Sequence, residues 1–261
     1  MMMDLWKSES DWFARWFNTE AYHVLYEKRD DVEAKQFVER LVNQLFPSGS
    51  GSGSKKILDL GCGAGRHSIQ FGLQGHSVIG LDLSQNSIET AQKNTESFPN
   101  VSFLKGDMRE LQKIFPANSF HAVVSLFTSL GYFESFNDLQ QTLDGIHHVM
   151  RDEGIFVLDF LHVHHVKSTL VPHEQIFKGG YQFNIHRRIV EGWIEKSIQY
   201  EVQGEEYHFV ERVQAISEKE WEVLFQSVGW EIVNRFGDYS LNPLMEESPR
   251  CILVARKMPC G

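Results

Sequence analysis

Cysteine is scarce in this chain: among 261 residues it occurs only at Cys62, Cys251 and Cys260. Three scattered thiols are too few for a disulfide framework or a Cys-rich zinc site, and they fit a reducing compartment. Basic charge is also short, with 25 Lys and Arg against 35 Asp and Glu and a net charge of −10. A protein that neutralises many phosphates gathers Lys and Arg on one face, so nucleic acid is disfavoured as a partner. The stretch from Met1 to Phe17 has no apolar run and carries Asp4, Glu9 and Asp11, which speaks against a signal peptide or a membrane span there. Together these shortages lead to the expectation of a cytoplasmic protein that works on neither membrane nor nucleic acid.

The remainder is ordinary globular composition, 42% hydrophobic and 23% charged, at a length that suits one main core carrying a modest insertion. Residues 1–47 read as helical. Between Asp31 and Phe46 the residues Val32, Ala34, Phe37, Val38, Leu41, Val42 and Leu45 fall at helical spacing, and Pro47 ends the run. Residues 48–54 alternate Ser and Gly, a linker composition with nothing to pack. Beyond it, strands and helices alternate: a strand at Ile57 to Leu60, a helix from Arg66, a strand at Ser77 to Leu81, and a helix capped by Ser84. Strands at Val101 to Leu104 and His121 to Leu126, a helix from Asp138 and a strand at Ile155 to Phe160 continue the series. Such alternation predicts a mainly parallel sheet covered on both faces.

From Gln175 to Ala215 the rhythm changes to β-favouring stretches broken at Gly179-Gly180, Glu191-Gly192 and Gln203-Gly204, which predicts an inserted antiparallel sheet over residues 171–215. Ser217 and Glu220 have capping-box spacing, and strands at Trp230 to Phe236 and Cys251 to Lys257 close the chain. The main domain is therefore expected to be assembled from residues 55–170 and 216–261.

Chemistry concentrates at Ile57-Leu58-Asp59-Leu60-Gly61-Cys62-Gly63-Ala64-Gly65-Arg66-His67, a strand running through a glycine turn into a helix. Glycines serve where the backbone turns sharply or a ligand must come close to it. Asp82 lies at the end of the next strand, where an acid accepts hydrogen bonds from ribose hydroxyls. This much fits a nicotinamide dinucleotide and S-adenosylmethionine equally. Three details favour the latter. Arg66 occupies the place of the third dinucleotide-fingerprint glycine, Asp59 would put a carboxylate near a diphosphate, and Gly106-Asp107-Met108 offers an acid and an apolar cover for adenine.

Taken together, these residues resemble the class I S-adenosylmethionine-dependent methyltransferase family, from Ile57 to about Phe160. The resemblance implies a Rossmann-like three-layer α/β sandwich, whose seven-stranded, mostly parallel sheet has an antiparallel last strand, with a small antiparallel β insertion. It also implies S-adenosylmethionine as cofactor. Asp59, Gly61 and Gly63 would lie at its methionine part, Asp82 with Leu83 at the ribose, Asp107 and Met108 at the adenine, and Ser125-Leu126-Phe127 would run past the amino group. The post-strand segment from Ser125 to Phe133 lacks a Pro-Pro-aromatic sequence, which turns the expectation toward small-molecule acceptors, methylated at O or N. The N-terminal helices resemble the lid of glycine and sugar N-methyltransferases, making Tyr26 and Arg29 candidate cofactor contacts, Arg29 through a guanidinium fork on a carboxylate.

Candidate bases are Tyr132, His165, His186, His208 and Glu211, each expected to face the pocket. His162, His164 and His165 raise a metal reading, but only His162 with His165 suits a helix turn and no third ligand is at hand, so no metal is expected. An NAD-dependent oxidoreductase and a non-catalytic cofactor-binding protein are the competing readings.

Overall fold

The computed structural model describes residues 15–17, 19–26, 31–46, 53–95 and 97–258. Arg29, Cys260, residues 1–14 and most of the Ser/Gly linker lie outside the described residues. Two helices, α1 (Glu20–Leu25) and α2 (Asp31–Leu45), precede the alternating region. There β1 (Lys56–Leu60), α3 (Arg66–Leu73), β2 (Ser77–Asp82), α4 (Gln85–Asn94) and β3 (Val101–Lys105) follow one another. The series goes on through α5 (Leu111–Ile114), β4 (Phe120–Ser125), α6 (Phe136–Val149), β5 (Met150–Leu161) and α7 (Val163–Thr169). Four strands, β6 (His173–Lys178), β7 (Tyr181–Val190), β8 (Trp193–Val202) and β9 (Glu205–Gln214), come next, and α8 (Glu218–Ser227), β10 (Trp230–Phe236) and β11 (Arg250–Lys257) complete the chain.

The seven-stranded sheet has the order β10-β11-β5-β4-β1-β2-β3, with β11 antiparallel to both of its neighbours. Because side chains alternate across a strand, one short apolar strand feeds two cores. Leu58 and Leu60 of β1 join Leu143, Phe156 and Trp221 on one face, while Ile57 joins Phe37, Leu41 and Phe71 on the other. That two-sided burial is why the parallel strands read as unbroken apolar runs. The order reverses direction between β1 and β4, and the crevice opened there at the carboxyl ends of the strands is where ligands enter such sheets.

The other four strands form a separate antiparallel sheet in the order β6-β7-β8-β9. Each of the three glycine pairs or Gly-containing breaks seen in the sequence closes a hairpin, and Glu191 and Gln203 take left-handed backbones in two of these turns. One face of this sheet buries Phe183, Ile185 and Ile198 against Trp16 and Ala21 of the N-terminal segment. Ser217 and Glu220 form the expected capping box at α8. The sequence reading left residues 163–169 unassigned between strand and helix; α7 forms there with His162 at its N-cap.

Candidate active site

A cavity of about 1100 Å³ opens at the carboxyl ends of β1, β2, β3 and β4. Gly61, Gly63 and Gly65 all have positive φ, so the chain leaves β1, turns within five residues and enters α3 with its backbone toward the cavity. At Gly63 a Cβ would meet nothing, so the missing side chain leaves open space beside the loop. Gly61 is different, because a Cβ there would lie 2.6 Å from the Ser129 Cβ.

Two carboxylates flank the loop, Asp59 buried and Asp82 half-buried. Asp59 is 2% exposed and accepts a hydrogen bond from the Ser68 hydroxyl at 2.6 Å. Burial, with the nearby Asp82 charge adding to it, raises its carboxyl to about 6 against the Ser68 hydrogen bond. Asp82 accepts from the backbone N–H of Gly63 and of Ser84, each at 2.8 Å, and so ties the glycine loop to the start of α4. Burial raises its carboxyl too, partly offset by those backbone bonds. Cys62 is driven the same way by burial and then by both aspartates, so it stays a thiol and serves here as a small packed side chain. His67 is held neutral, its imidazole lowered to about 3 by burial and by Arg66.

The third strand delivers Asp107 and Met108 to the cavity wall. Burial opposes ionisation of Asp107, but hydrogen bonds and charge from Arg109 outweigh it and hold the carboxyl below its usual range. Arg109 grips Asp107 through Nε at 3.0 Å and Nη2 at 2.6 Å, so this acid meets a ligand already braced by its own turn.

Of the residues singled out in the sequence, Tyr26, Asp59, Gly61, Gly63, Asp82, Leu83, Asp107, Met108, Leu126 and Tyr132 line this one cavity. Three candidate bases are not brought to it. His165 sits on α7, away from the lining. On β7, alternation sends Ile185 into the Trp16 cluster and His186 to the opposite face, where it stacks on His173 at 4.4 Å. His208 shares that face through its bond to Ser197 at 2.9 Å. Glu211 is one step removed from the cavity. It accepts from Trp16 Nε1 at 2.6 Å and from Tyr26 Oη at 2.7 Å, and Tyr26 in turn accepts from Lys196 at 2.6 Å. Among the described residues, no group of three His, Cys, Asp or Glu side chains could hold a metal ion.

The sequence reading missed Phe17, Arg66 and Ser129, which also line the cavity, as does Phe127 just past the end of the fourth strand. Arg66 carried a signal in its place beside the glycines; the others come from segments with no local motif.

Residues 57–154 match the family model of a methyltransferase domain. Those residues form a methyltransferase domain. Among curated relatives, a protein of Bacillus subtilis (strain 168) named as a methyltransferase is 38% identical over 104 residues, 40% of this chain and 41% of the relative. The dTDP-3-amino-3,4,6-trideoxy-alpha-D-glucopyranose N,N-dimethyltransferase of Streptomyces venezuelae is 28% identical over 106 residues, 41% of this chain and 42% of the relative. These matches thus span about two fifths of the curated proteins. An S-adenosylmethionine-dependent methyltransferase structure from Clostridium acetobutylicum ATCC 824 superposes with a TM-score of 0.76 at 14% identity, over 90% of this chain and 95% of that one. The last likeness is one of fold, and at 90% of this chain it extends well beyond residues 57–154.

The residues present suit S-adenosylmethionine. Asp59 and Asp82 give the glycine loop of the methyltransferase domain a negative floor that would repel a diphosphate and would accommodate an ammonium or sulfonium group. Asp82 can accept from a ribose diol, and Leu83, Met108 and Leu126 supply apolar cover.

Proposed function

We propose that the protein transfers a methyl group from S-adenosylmethionine to an oxygen or nitrogen atom of a small-molecule acceptor in the cytoplasm. The observation that carries this reading is the cavity itself. One end is walled by Asp59, the glycine loop, Asp82, Asp107 and Met108, and the same space is also lined by Phe17, Tyr22, Tyr26, Tyr132 and Phe133. The first set suits the cofactor and the second an acceptor, with Tyr22 and Tyr26 bringing the N-terminal helix to the acceptor side. The name of the Streptomyces relative, an amino-sugar N,N-dimethyltransferase, supports a small acceptor. Two buried thiols outside any disulfide, Cys62 and Cys251, are consistent with a reducing compartment.

When bound, S-adenosylmethionine supplies a methyl group on a positively charged sulfur. The chain then has to align the acceptor and exclude water. Asp59 and the backbone from Gly61 to Gly63 hold the methionine end, Asp82 the ribose, and Asp107 with Met108 the adenine. Aromatic side chains keep the acceptor end dry, and Tyr132, on the cavity wall, is the candidate that in its ionised form would take a proton from an acceptor that must lose one.

Transfer of isotopically labelled methyl from S-adenosylmethionine into a cell extract, separated into small-molecule, protein and nucleic-acid fractions, tests this. Label is expected in the small molecules, and label confined to a polymer would overturn the acceptor class. Asp82→Ala should weaken S-adenosylmethionine binding by about 1–3 kcal/mol in calorimetry, the loss of charge-assisted hydrogen bonds. Unchanged affinity would remove Asp82 from the site, and tighter binding of NAD would favour the reductase reading.

A further inference from the structure

Asp159 ends the functional part of β5 with no exposed surface, yet it stands outside the glycine loop and outside the acids that follow β2 and β3. Its partners explain its place. Oδ2 accepts from the backbone N–H of Phe127 at 2.8 Å and from the Tyr239 hydroxyl at 3.1 Å, while Oδ1 accepts from Arg250 Nε at 2.7 Å, with Nη2 of the same guanidinium 2.7 Å away in the ion pair. The Asp159 carbonyl takes the N–H of Thr128 at 2.9 Å, and Arg250 Nη2 donates to the Thr128 hydroxyl at 3.0 Å. Every one of these bonds converges on residues 127 and 128 or on the groups that hold them.

Those two residues are both in the left-handed region, Phe127 at φ +62° and Thr128 at φ +72°. Consecutive left-handed backbone at an aromatic and a β-branched residue is costly, and it persists only where the surroundings over-determine it. Here the surroundings are Asp159 below and the Arg250 guanidinium alongside, 5.5 Å from the Phe127 ring centre. Burying an ion pair is a poor source of stability but a good source of fixed geometry. The ring of Tyr239 packs on Phe37 of α2 at 4.6 Å and extends the same brace to the helical layer.

What the strained turn positions is the cavity wall. Leu126, Phe127 and Ser129 line it, and Ser129 donates to the Leu126 carbonyl at 2.9 Å while its Oγ lies 3.4 Å from the Gly61 carbonyl. With no room for a Cβ between Gly61 and Ser129, a shift of the turn would carry straight into the glycine loop.

We propose that Asp159, clamped by Arg250 and Tyr239, is a positioning residue that holds Phe127 and Thr128 in left-handed backbone and so sets the wall of the cofactor cavity facing the glycine loop. The inference rests on the reading that the cavity takes S-adenosylmethionine. Asp159 acts through the turn and does not itself line the cavity.

Calorimetric titration with S-adenosylmethionine tests it, alongside thermal melting of each variant. The parent protein is expected to bind, Asp159→Asn to bind at least tenfold more weakly, and Asp159→Asn with Thr128→Gly to recover at least threefold. Glycine takes the left-handed angles without help, so recovery is the outcome that loss of general packing would not produce. Should Asp159→Asn fail to melt cooperatively, Arg250→Lys, which keeps the charge but cannot reach both Asp159 and Thr128 in the same way, carries the test with the same rescue. Parent-like affinity in a folded variant, or a loss that Thr128→Gly leaves unrecovered, overturns the inference while the cofactor reading stands. A parent protein that does not bind S-adenosylmethionine overturns both.

Discussion

Asp59 is the residue where folding and ligand binding pull in opposite directions. Its carboxyl stands at about 6 in the fold against 3.8 when free, so the native state holds the proton more tightly than the unfolded chain does. The favourable contribution is therefore full below about pH 4 and is lost as the pH climbs through 6. Above that, keeping the buried group ionised costs on the order of 3 kcal/mol, taking about 1.4 kcal/mol per unit. Without ligand, Asp59→Asn should melt at a higher temperature than the parent at pH 8, with the gap shrinking by pH 5. A gap equal at both pH values would mean that Asp59 is not the cost. The positive ligand that suits the site reverses the sign: it favours the carboxylate, so affinity for S-adenosylmethionine should fall as the pH drops from 7 to 5. Asp59 was recognisable in the sequence because strand, acid and glycines are contiguous. Its raised proton affinity was not, because that comes from the layers packed around β1.

At the scale of elements, the turn from β1 into α3 contains glycines with two different reasons to be there. Gly65 is the N-cap of α3 at φ +84°, and a Cβ on it would lie 2.5 Å from the Phe103 ring. Gly65→Ala must bear a left-handed alanine and an overpacked contact, together about 2–4 kcal/mol of lost stability. Gly63→Ala meets no protein atom, so it should cost about 1–2 kcal/mol from backbone strain alone, but it sets a methyl group in the cavity. Urea unfolding and calorimetry of the two variants should separate them: Gly65→Ala mainly unstable, Gly63→Ala mainly defective in binding. If both lose stability equally, the cavity assignment of Gly63 fails. Both glycines stand in the motif as written. Which one touches protein and which faces open space depends on β3 lying across the turn, and Phe103 lies 38 positions further along the chain.

Across the whole molecule, one acid ties two aromatic residues of the N-terminal segment to the antiparallel sheet, beside the apolar contacts that pack them there. Glu211 receives Trp16 and Tyr26 from residues 195 and 185 positions away in sequence. Removing it takes away the acceptor of the Trp16 indole N–H and of the Tyr26 hydroxyl, which costs about 1–3 kcal/mol locally. Glu211→Ala should therefore speed proteolytic cleavage near residues 15–26 and leave cleavage within the parallel sheet unchanged. A parent-like cleavage pattern would show that stacking of Trp16 on Phe209, at 4.8 Å, suffices to hold the segment. Glu211 entered the sequence reading as a candidate base. Its observed place, behind Tyr26, gives it a holding role, and nothing in the sequence near position 211 distinguishes the two.

Order along the chain was enough to specify the alternation of strands and helices, the hairpins of the inserted sheet and the acids that follow β1, β2 and β3. Each of those depends on hydrophobic period, turn chemistry or spacing within some twenty residues, interactions that operate before distant segments meet. Folding alone settled that His186 and His208 turn away from the cavity, that Phe17 turns into it, and that Asp159 and Arg250, 91 positions apart, meet beneath a strained turn. Those outcomes follow from the face on which a strand packs and from which buried charges find partners, and both are properties of the assembled layers.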